Sequence, residues 1–419
     1  MLKKLILENS RKKNIFTVLD IGTSKIVCLI AKTESGKTSI IGRGCNSAMG
    51  FKNGNIIDGK LARESIISAL DQAEKMAGLI VEKVILVLNG NKVHSHYLKS
   101  SLVIKNKKIT NSDVEKLIIN SIKDLENQSY EVIHYCPLKY TIDGNSGIKN
   151  PIGLLGKHLL ANIHFLTIPT LSLENIINCL AACQLDVEDC IFAPHSSGLA
   201  TLSKHDKEFG STVIDFGDGI TSYALFSQNN MVHCGYLPIG SKSITNDIAK
   251  SFMLDISTAE RIKTIYGAAS VTYADNQKMI KTTDNSLSGL LDNEERSISN
   301  AELNEIINAR VEEIIYLLKE KIQTQFEAFP DTQHNIILTG GGSMLVGIAN
   351  EFAKIFGSKI RVKKPTSIDG LTHDSINATY TAAIGAINYI AEKDSPTQLT
   401  EVNEHNSIKK IFNWLKKNF

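Results

Sequence analysis

The chain has 419 residues, too many for one ordinary hydrophobic core, so we expect two or more domains. A total of 46 Lys and Arg against 44 Asp and Glu argues against nucleic-acid binding driven by overall charge. Seven cysteines without framework spacing indicate reduced thiols, and no apolar run is long enough to span a bilayer. We therefore expect a folded cytosolic protein.

The first segment, residues 1–13, is rich in lysine and arginine. Its apolar centre is too short for the hydrophobic region of a signal peptide. We predict a basic N-terminal tail, which is either disordered or a second contact with lipid.

A strand-and-turn motif then occurs twice, as FTVLDIGTSKIVCLIAK from Phe16 and as STVIDFGDGITSYALFS from Ser211. Each copy contains an apolar strand, an acidic residue, a glycine turn and a second β-rich strand, which predicts a hairpin. Such a turn presents backbone N–H groups to an anion, and its Asp can hold a hydrated cation. The residues that match at a constant offset are Val18, Asp20 and Gly22 with Val213, Asp215 and Gly217. Two copies suggest related lobes that close on one phosphate group.

A third block, HNIILTGGGSMLVGIANEF, covers residues 334–352 and predicts a buried strand, a glycine triplet and a helix. Glycines let the backbone approach a flat ligand, and a helix N-terminus adds N–H donors. It is not a dinucleotide fingerprint, because Leu345 occupies the third glycine position.

Two D-x-G hairpins followed by a late strand, GGG and helix resemble the phosphate and adenosine motifs of the actin, Hsp70 and sugar kinase superfamily. The segments SITNDIAKSF and STAERIKTIYGAA further resemble the FtsA family of bacterial cell-division proteins, whose adenosine-contacting pair would here be Glu260 and Lys263. These two residues are one helical turn apart, so both can face one ligand. The implied fold is α/β, a two-lobed, actin-like (ribonuclease-H-like) ATPase fold.

The stretch from residue 84 to residue 162 supports the closer resemblance. It runs VILVLNG, SSLVIKNKKITNSDVEKLI, YEVIHYCPLKYTIDG and NPIGLLGKHL. This order resembles the 1C subdomain that FtsA proteins carry in place of actin's 1B subdomain. The strand that should follow the first helix would then arrive only at IHFLTIP.

The resemblance implies ATP and Mg²⁺ as cofactors. Asp20 and Asp215 would hold Mg²⁺ through water. The implied nucleotide-binding residues are Asp20, Gly22, Thr23, Ser24, Lys25, Asp215, Gly217, Gly219, Thr221, Glu260, Lys263, Gly340, Gly341, Gly342 and Ser343.

Three positions depart from the family pattern, and one of them is Ala193, which stands where the family commonly shows Glu. The other two lie in the second glycine turn. Asp218 stands where the family usually has Gly or Ala, and Ile220 where it usually has Thr. A carboxylate beside a triphosphate is repulsive unless a cation offsets it. We expect ATP binding with at most weak ATPase activity, and no catalytic residue is assigned.

The resemblance also divides the chain. We expect a basic tail, a first lobe interrupted by the 1C subdomain, a second lobe interrupted by a largely helical 2B subdomain, a linker and a final helix. The predicted ranges are, in that order, 1–13; 14–83 and 163–200 around 84–162; 211–245 and 320–391 around 246–319; 392–406; and 407–419.

The linker has four acidic residues and two sizeable apolar ones, which predicts a flexible segment. The stretch SIKKIFNWLKKNF follows it, with four lysines and the only tryptophan of the chain. As a helix it is amphipathic and suits an anionic membrane, although a partner's groove is an alternative surface. Its apolar face is Ile408, Ile411, Phe412, Leu415 and Phe419, with Trp414 at the edge and Lys409, Lys410, Lys416 and Lys417 opposite.

By the family's example, the chain would tether the FtsZ ring to the cytoplasmic face of the cell inner membrane at the division septum. Implied partners are the FtsZ C-terminal tail, further copies of the chain in an actin-like filament, and later divisome membrane proteins. The alternatives are an actin-like pilus-assembly protein, which would lack such a tail, and a metabolic kinase of the same superfamily, which would need a catalytic Asp.

Overall fold

The structure is a computed structural model that describes residues 14–90, 92–105, 108–126, 128–270, 279–282, 296–371 and 377–393. The C-terminal linker beyond residue 393, the amphipathic segment 407–419 and the basic tail 1–13 lie outside the described residues.

Lobe one is built on five strands: β1 (Ile15–Ile21), β2 (Lys25–Glu34), β3 (Lys37–Ser47), β6 (Lys83–Leu88) and β11 (Asp186–Phe192). Their order in the sheet is β11-β6-β1-β2-β3. The first three strands are antiparallel, and β6 runs parallel to both β1 and β11. A short hairpin of β4 (Phe51–Lys52) and β5 (Asn55–Ile56) follows β3.

Lobe two repeats this arrangement with β12 (Ser211–Phe216), β13 (Thr221–Ser227), β14 (Asn230–Leu237), β17 (Ile336–Thr339) and β18 (Ile360–Val362). The order is β14-β13-β12-β17-β18, so β12 takes the place of β1 and β17 that of β6. The two D-x-G motifs therefore begin at the ends of equivalent central strands. A minor pair, β15 (Met279–Thr282) and β16 (Arg296–Ser299), belongs to the same half of the chain.

Amphipathic helices cover these sheets with their apolar faces. In the long helix Asn300–Ala328, the buried face includes Leu303, Ile307, Val311, Ile314 and Leu318, and it packs into the core of lobe two. The α-helices are α1 (Gly59–Ala77), α2 (Asn111–Glu126), α3 (Thr170–Ala181), α4 (Ala193–Thr201), α5 (Lys204–Phe209), α6 (Ser241–Phe252), α7 (Ile256–Tyr266), α8 (Asn300–Ala328), α9 (Ile348–Phe356) and α10 (Thr381–Lys393). Both predicted borders of the 2B subdomain, 245/246 and 319/320, fall inside helices, α6 and α8. No helix of the described residues has the length and apolarity needed to cross a membrane.

A separate sheet is inserted in lobe one. It consists of β7 (His94–Val103), β8 (Tyr130–Ile142), β9 (Asn145–Ile148) and β10 (His158–Pro169), in the order β7-β10-β8-β9. Helix α2 contributes Val114, Leu117 and Ile118 to a hydrophobic core that this insertion does not share with the lobes. The insertion is thus a small layered unit of its own.

The predicted bounds of this insertion, 84–162, are wrong at both ends. The run VILVL in β6 is buried on both faces between β1 and β11, as a central parallel strand requires, so it belongs to lobe one. The run IHFLTIP, predicted to be the returning strand of lobe one, is the second half of β10 and pairs with β7 and β8.

The insertion also docks on lobe two, at the edge strand β14. The Ser95 hydroxyl donates to the Cys234 carbonyl at 2.8 Å and accepts from the Cys234 N–H at 3.2 Å. The Tyr97 hydroxyl donates to the Val232 carbonyl at 2.9 Å. These side chains satisfy backbone groups that an edge strand otherwise leaves unpaired.

Candidate functional site

Two glycine turns face the space between the lobes. The Gly22 N–H donates to the Lys25 carbonyl at 3.0 Å, and the Gly217 N–H donates to the Ile220 carbonyl at the same distance. A Cβ atom would lie 2.9 Å from the Lys25 oxygen at the first position and 2.6 Å from the Ile220 oxygen at the second. Both turns therefore require glycine because the backbone folds back on itself too closely for a side chain.

The turns line a cleft of about 390 Å³ between the lobes. Most of the predicted nucleotide-binding residues lie on its walls. They are Asp20, Gly22, Thr23, Ser24, Lys25, Asp215, Gly217, Glu260, Lys263, Gly340, Gly341 and Gly342.

Three predicted residues do not line the cleft. The buried Thr221 hydroxyl donates to the Ile239 carbonyl at 2.8 Å, and the Ser343 hydroxyl donates to the Gly340 carbonyl at 2.6 Å. Gly219 lies against Thr23, so that a Cβ atom there would be 2.6 Å from Thr23 Cγ2. Thr221 and Ser343 therefore stabilise the turns, and Gly219 permits the two lobes to approach.

Asp20 and Asp215 are buried carboxylates at the base of the cleft. The Asn89 side-chain amide donates to Asp20, and the Ser197 hydroxyl donates to Asp215 at 2.6 Å. Burial and the nearby charge of Asp215 raise the pKa of Asp20 to about 7, against the opposing effects of Asn89 and Lys25. Burial likewise raises the pKa of Asp215. A cation between the two carboxylates would relieve their repulsion.

This pair fits a hydrated Mg²⁺ ion better than a fully protein-coordinated metal. Mg²⁺ is commonly held by one or two carboxylates together with water and phosphate oxygens. Within the described ranges, no cluster of three or more His, Cys, Asp and Glu side chains could hold a metal. The donor set thus suits a metal that arrives with a phosphate ligand.

Lobe two adds a charged pair to the cleft wall. Lys263 Nζ lies 2.8 Å from Glu260 Oε2, and it also donates to the Thr245 hydroxyl at 2.8 Å. Burial would raise the pKa of Glu260, but hydrogen bonds from Lys263 and Thr245 outweigh it and lower this pKa. Both side chains are held in place and can present a carboxylate and an ammonium to a polar ligand.

Asp218 also lines the cleft, on the second turn. Burial raises the pKa of Asp218, and the charges of Lys263 and Lys242 oppose this rise. The Ile220 side chain lies on the wall nearby. These two departures from the family pattern are therefore in the cleft itself, one adding negative charge and the other apolar surface.

On the lobe-one side, Lys25 Nζ lies over the ring of Tyr380, 4.4 Å from the ring centroid. Such a contact stabilises an ammonium group in a partly dry site. Burial nevertheless lowers the pKa of Lys25. An anionic ligand beside Lys25 would restore the preference for the charged form.

Sequence reasoning missed Asn89 and Ser197. Asn89 follows β6 directly, and the carboxyl ends of the parallel strands β1 and β6 meet at one edge of the sheet. If VILVL had been assigned to lobe one, Asn89 would have been predicted to lie beside Asp20. His195, in the segment that also supplies Ser197, is buried against His134, Phe226 and Tyr389, as a structural residue would be.

Two family descriptions match the chain, and together they cover more than half of it. Residues 212–385 match "Cell division protein FtsA", and residues 90–167 match "SHS2 domain inserted in FTSA". The chain belongs to the FtsA family. The second match begins after β6, where the inserted unit of the structure also begins. It confirms an insertion of the FtsA 1C type.

Relatives in the FtsA family align along nearly the whole chain. The cell division protein FtsA of Agrobacterium fabrum is 28% identical over 430 residues, which cover 98% of this chain and 96% of the relative. FtsA of Escherichia coli K12 is 29% identical over 414 residues, which cover 96% of this chain and 97% of the relative. This chain is thus a cell-division protein by family.

Solved structures with little sequence identity confirm the predicted actin-like fold. The PilM–PilN type IV pilus biogenesis complex aligns with a TM-score of 0.64 at 14% identity, covering 90% of this chain and 98% of that chain. MreB 5 of Spiroplasma citri bound to AMPPNP aligns with a TM-score of 0.55 at 15% identity, covering 91% of this chain and 98% of that chain.

Proposed function

We propose that this chain is an ATP-binding, actin-like cell-division protein that tethers the FtsZ ring to the cytoplasmic membrane. The observation that supports nucleotide binding is the cleft between the lobes. Two equivalent D-x-G turns place Asp20 and Asp215 on its walls. Apart from those of Gly22 and Gly217, the N–H groups of both turns suit phosphate oxygens, as does the Lys25 ammonium group. Glu260 and Lys263 suit the polar groups of an adenosine.

Mg²⁺ would neutralise charge on the phosphates and on the two aspartates. Asp20 and Asp215 would hold it through water, with Asn89 and Ser197 orienting the carboxylates. Asp218 beside the phosphates opposes the build-up of negative charge, and the Ile220 side chain supplies no hydrogen bond. We therefore propose at most weak ATPase activity.

Nucleotide would act on assembly. A ligand held by both turns binds more tightly when the lobes are close, so it shifts the population toward the closed form. We propose that this form assembles into actin-like filaments. We propose the domain organisation that was predicted from the sequence, except that the insertion lies between β6 and α3.

The proposed attachment to the inner membrane rests on the sequence of residues 407–419. Each lysine near an anionic surface contributes about 1 kcal/mol. Partly buried apolar side chains add to this, each worth roughly 1.5–3 kcal/mol if fully buried. The attachment is reversible for one copy, and a filament strengthens it by avidity. The location proposed is peripheral, at the division septum.

Partner contacts complete the proposal. The FtsZ C-terminal tail would dock on the helical part of lobe two, where the exposed apolar side chains of Met253, Ile256 and Tyr266 support a docking surface. Later divisome membrane proteins would contact the 1C-type insertion.

Titration with a fluorescent ATP analogue tests the nucleotide site. We expect saturable, Mg²⁺-dependent binding of one nucleotide per chain, weakened at least tenfold by Asp215→Ala and by Lys263→Met. Lys250→Met, at an exposed lysine of α6, is the matched control and should bind as the parent does. Absence of binding at millimolar nucleotide would contradict the proposal.

A further inference from the structure

A second groove lies at the joint where the insertion meets lobe two. Its volume is about 410 Å³, similar to that of the nucleotide cleft, and it shares no lining residue with that cleft. One wall is the sheet of the insertion, and the other is the hairpin between β13 and β14. The fold thus builds a second concave surface from two separate parts of the chain.

A row of polar side chains crosses the insertion sheet at this groove. Lys99 of β7 is paired with Asn162 of β10, and Asn162 is paired with Lys139 of β8. Residues paired directly across neighbouring strands point to the same face of a sheet. Two ammonium groups therefore flank one amide on the face that also carries Ser95 and Tyr97.

The charge of this row is uncompensated within the part of the chain that the structure describes. Ion pairs there engage other residues, and neither Lys99 nor Lys139 has a carboxylate partner. Among the residues that the structure describes, no acidic side chain lines the groove. The backbone carbonyl of Glu208 accepts from the Gln228 N–H on the opposite wall, but Glu208 itself is not among the residues that line the groove. The groove accordingly favours an anionic occupant.

Beside the polar row, part of the groove is apolar and fixed in shape. The rings of Tyr97 and Phe329 lie with their centroids 6.4 Å apart. Leu138 sits at an irregularity in the pairing of β8 with β10 and packs against the core of lobe two. The hydroxyl of Tyr97 bonds to β14, so the ring cannot swing away without losing that bond. An apolar side chain would find a preformed surface beside the two lysines.

We propose that this groove binds a short acidic and apolar peptide segment of a partner protein. A carboxylate of the peptide lies between Lys99 and Lys139, where the Asn162 amide can donate to it. A leucine or aromatic side chain of the same segment packs on Tyr97, Leu138 and Phe329. The proposal is independent of nucleotide binding, because the two sites share no residue.

Fluorescence anisotropy on the full chain tests this site with labelled octapeptides. One set alternates Glu or Asp with Leu or Phe, a second replaces the acids with Lys, and a third replaces the apolar residues with Ser. We expect members of the first set to bind at least tenfold more tightly than their counterparts in the other two. Binding should also weaken as salt increases, because the lysines are exposed.

Charge reversal locates the binding. Lys99→Glu and Lys139→Glu should each weaken binding of the acidic peptides at least fivefold, and the double variant more. Lys149→Glu, at an exposed lysine elsewhere on the insertion, should leave binding within twofold of the parent. Unchanged melting curves verify that the variants fold.

Several outcomes would overturn the proposal. The proposed site would be contradicted if the chain showed no preference for the acidic and apolar set, or if Lys149→Glu weakened peptide binding as much as Lys99→Glu and Lys139→Glu. Binding only by a peptide of the chain's own residues 394–406 would make the occupant intramolecular. Sedimentation with anionic vesicles that depends on Lys99 and Lys139, without peptide binding, would make it a lipid surface.

Discussion

Asp20 and Asp215 occupy equivalent positions in the two lobes, each one residue before the end of a central strand. Asp20 is paired with Val27 and Val87, and Asp215 with Ser222 and Thr339. Burial and the proximity of Asp215 raise the pKa of Asp20 to about 7. Two buried carboxylates at one space destabilise the empty protein, which is typical of a site built for a cation.

Replacement of Asp20 should therefore stabilise the nucleotide-free chain. The pKa of Asp20 is higher in the folded state than in the unfolded state, so stability falls as pH rises from about 4 to about 7. Asp20→Asn removes this penalty, and we expect a gain on the order of 2 kcal/mol at pH 8 that shrinks toward pH 4. Urea unfolding at several pH values measures it.

The control for this substitution is Asp71→Asn, at an exposed position of α1. It should not change stability at any pH in this range. The same Asp20→Asn variant should lose Mg²⁺-dependent ATP binding. A variant that is less stable than the parent at pH 8 would argue against repulsion between the two carboxylates.

Asp218 gives a second prediction, on affinity. It lies on the cleft wall, and burial raises its pKa despite Lys263 and Lys242. Asp218→Asn keeps the shape and removes the charge, so ATP should bind about fivefold more tightly, for a repulsion of about 1 kcal/mol. Titration of parent and variant at the same Mg²⁺ concentration checks this. Weaker binding by the variant would show that Asp218 contributes to holding the metal.

The docking of the insertion on β14 gives a third prediction. Tyr97→Phe leaves the Val232 carbonyl without its donor, and Ser95→Ala leaves both the N–H and the carbonyl of Cys234 without their partner. We expect a loss of about 1–2 kcal/mol for the first and more for the second.

Urea unfolding and limited proteolysis measure these losses. Ser101→Ala, on an exposed residue of the same strand, should have no effect. Equal stability of all three variants would show that the insertion does not depend on these bonds.

The duplicated motif was predictable because its signal is local. Strand, Asp and glycine turn follow one another in the sequence, and the glycine requirement arises from contacts only three residues apart, as between Gly22 and Lys25. The same holds for Glu260 and Lys263, which one helical turn brings together. Short-range geometry of this kind can be predicted from the spacing of residues in the sequence.

Strand membership was harder to predict. VILVL in β6 and IHFLTIP in β10 are both short apolar runs, and such runs do not specify the sheet to which they belong. The partners of each strand come from distant segments, β11 for one and β7 for the other. The misplacement of β6 also hid Asn89, whose role depends on the register of β6 with β1.

The direction of individual side chains within the motifs was also difficult to predict from the sequence. Thr221 and Ser343 lie within the motifs, yet their hydroxyls bond to the backbone carbonyls of Ile239 and Gly340. Threonine and serine often satisfy nearby carbonyls in this way, so a motif position does not by itself assign a ligand contact.

The C-terminal segment supplies a fourth prediction. Trp414 is the only tryptophan of the chain and lies at the edge of the predicted apolar face. On anionic vesicles its fluorescence should shift to the blue, because an indole at the headgroup level leaves water. Neutral vesicles are the control and should produce a smaller shift. An unchanged spectrum with anionic vesicles would count against membrane binding.

The tethering of FtsZ to a membrane is tested most directly by reconstitution. Fluorescent FtsZ would be mixed with anionic vesicles, Mg-ATP and either the full chain or a chain truncated after Asn406. We predict that the full chain brings FtsZ to the vesicles and that the truncated chain leaves it in solution. Asp215→Ala should recruit less FtsZ because it assembles poorly. Equal recruitment by the full and truncated chains, or none by either, would contradict the proposed function.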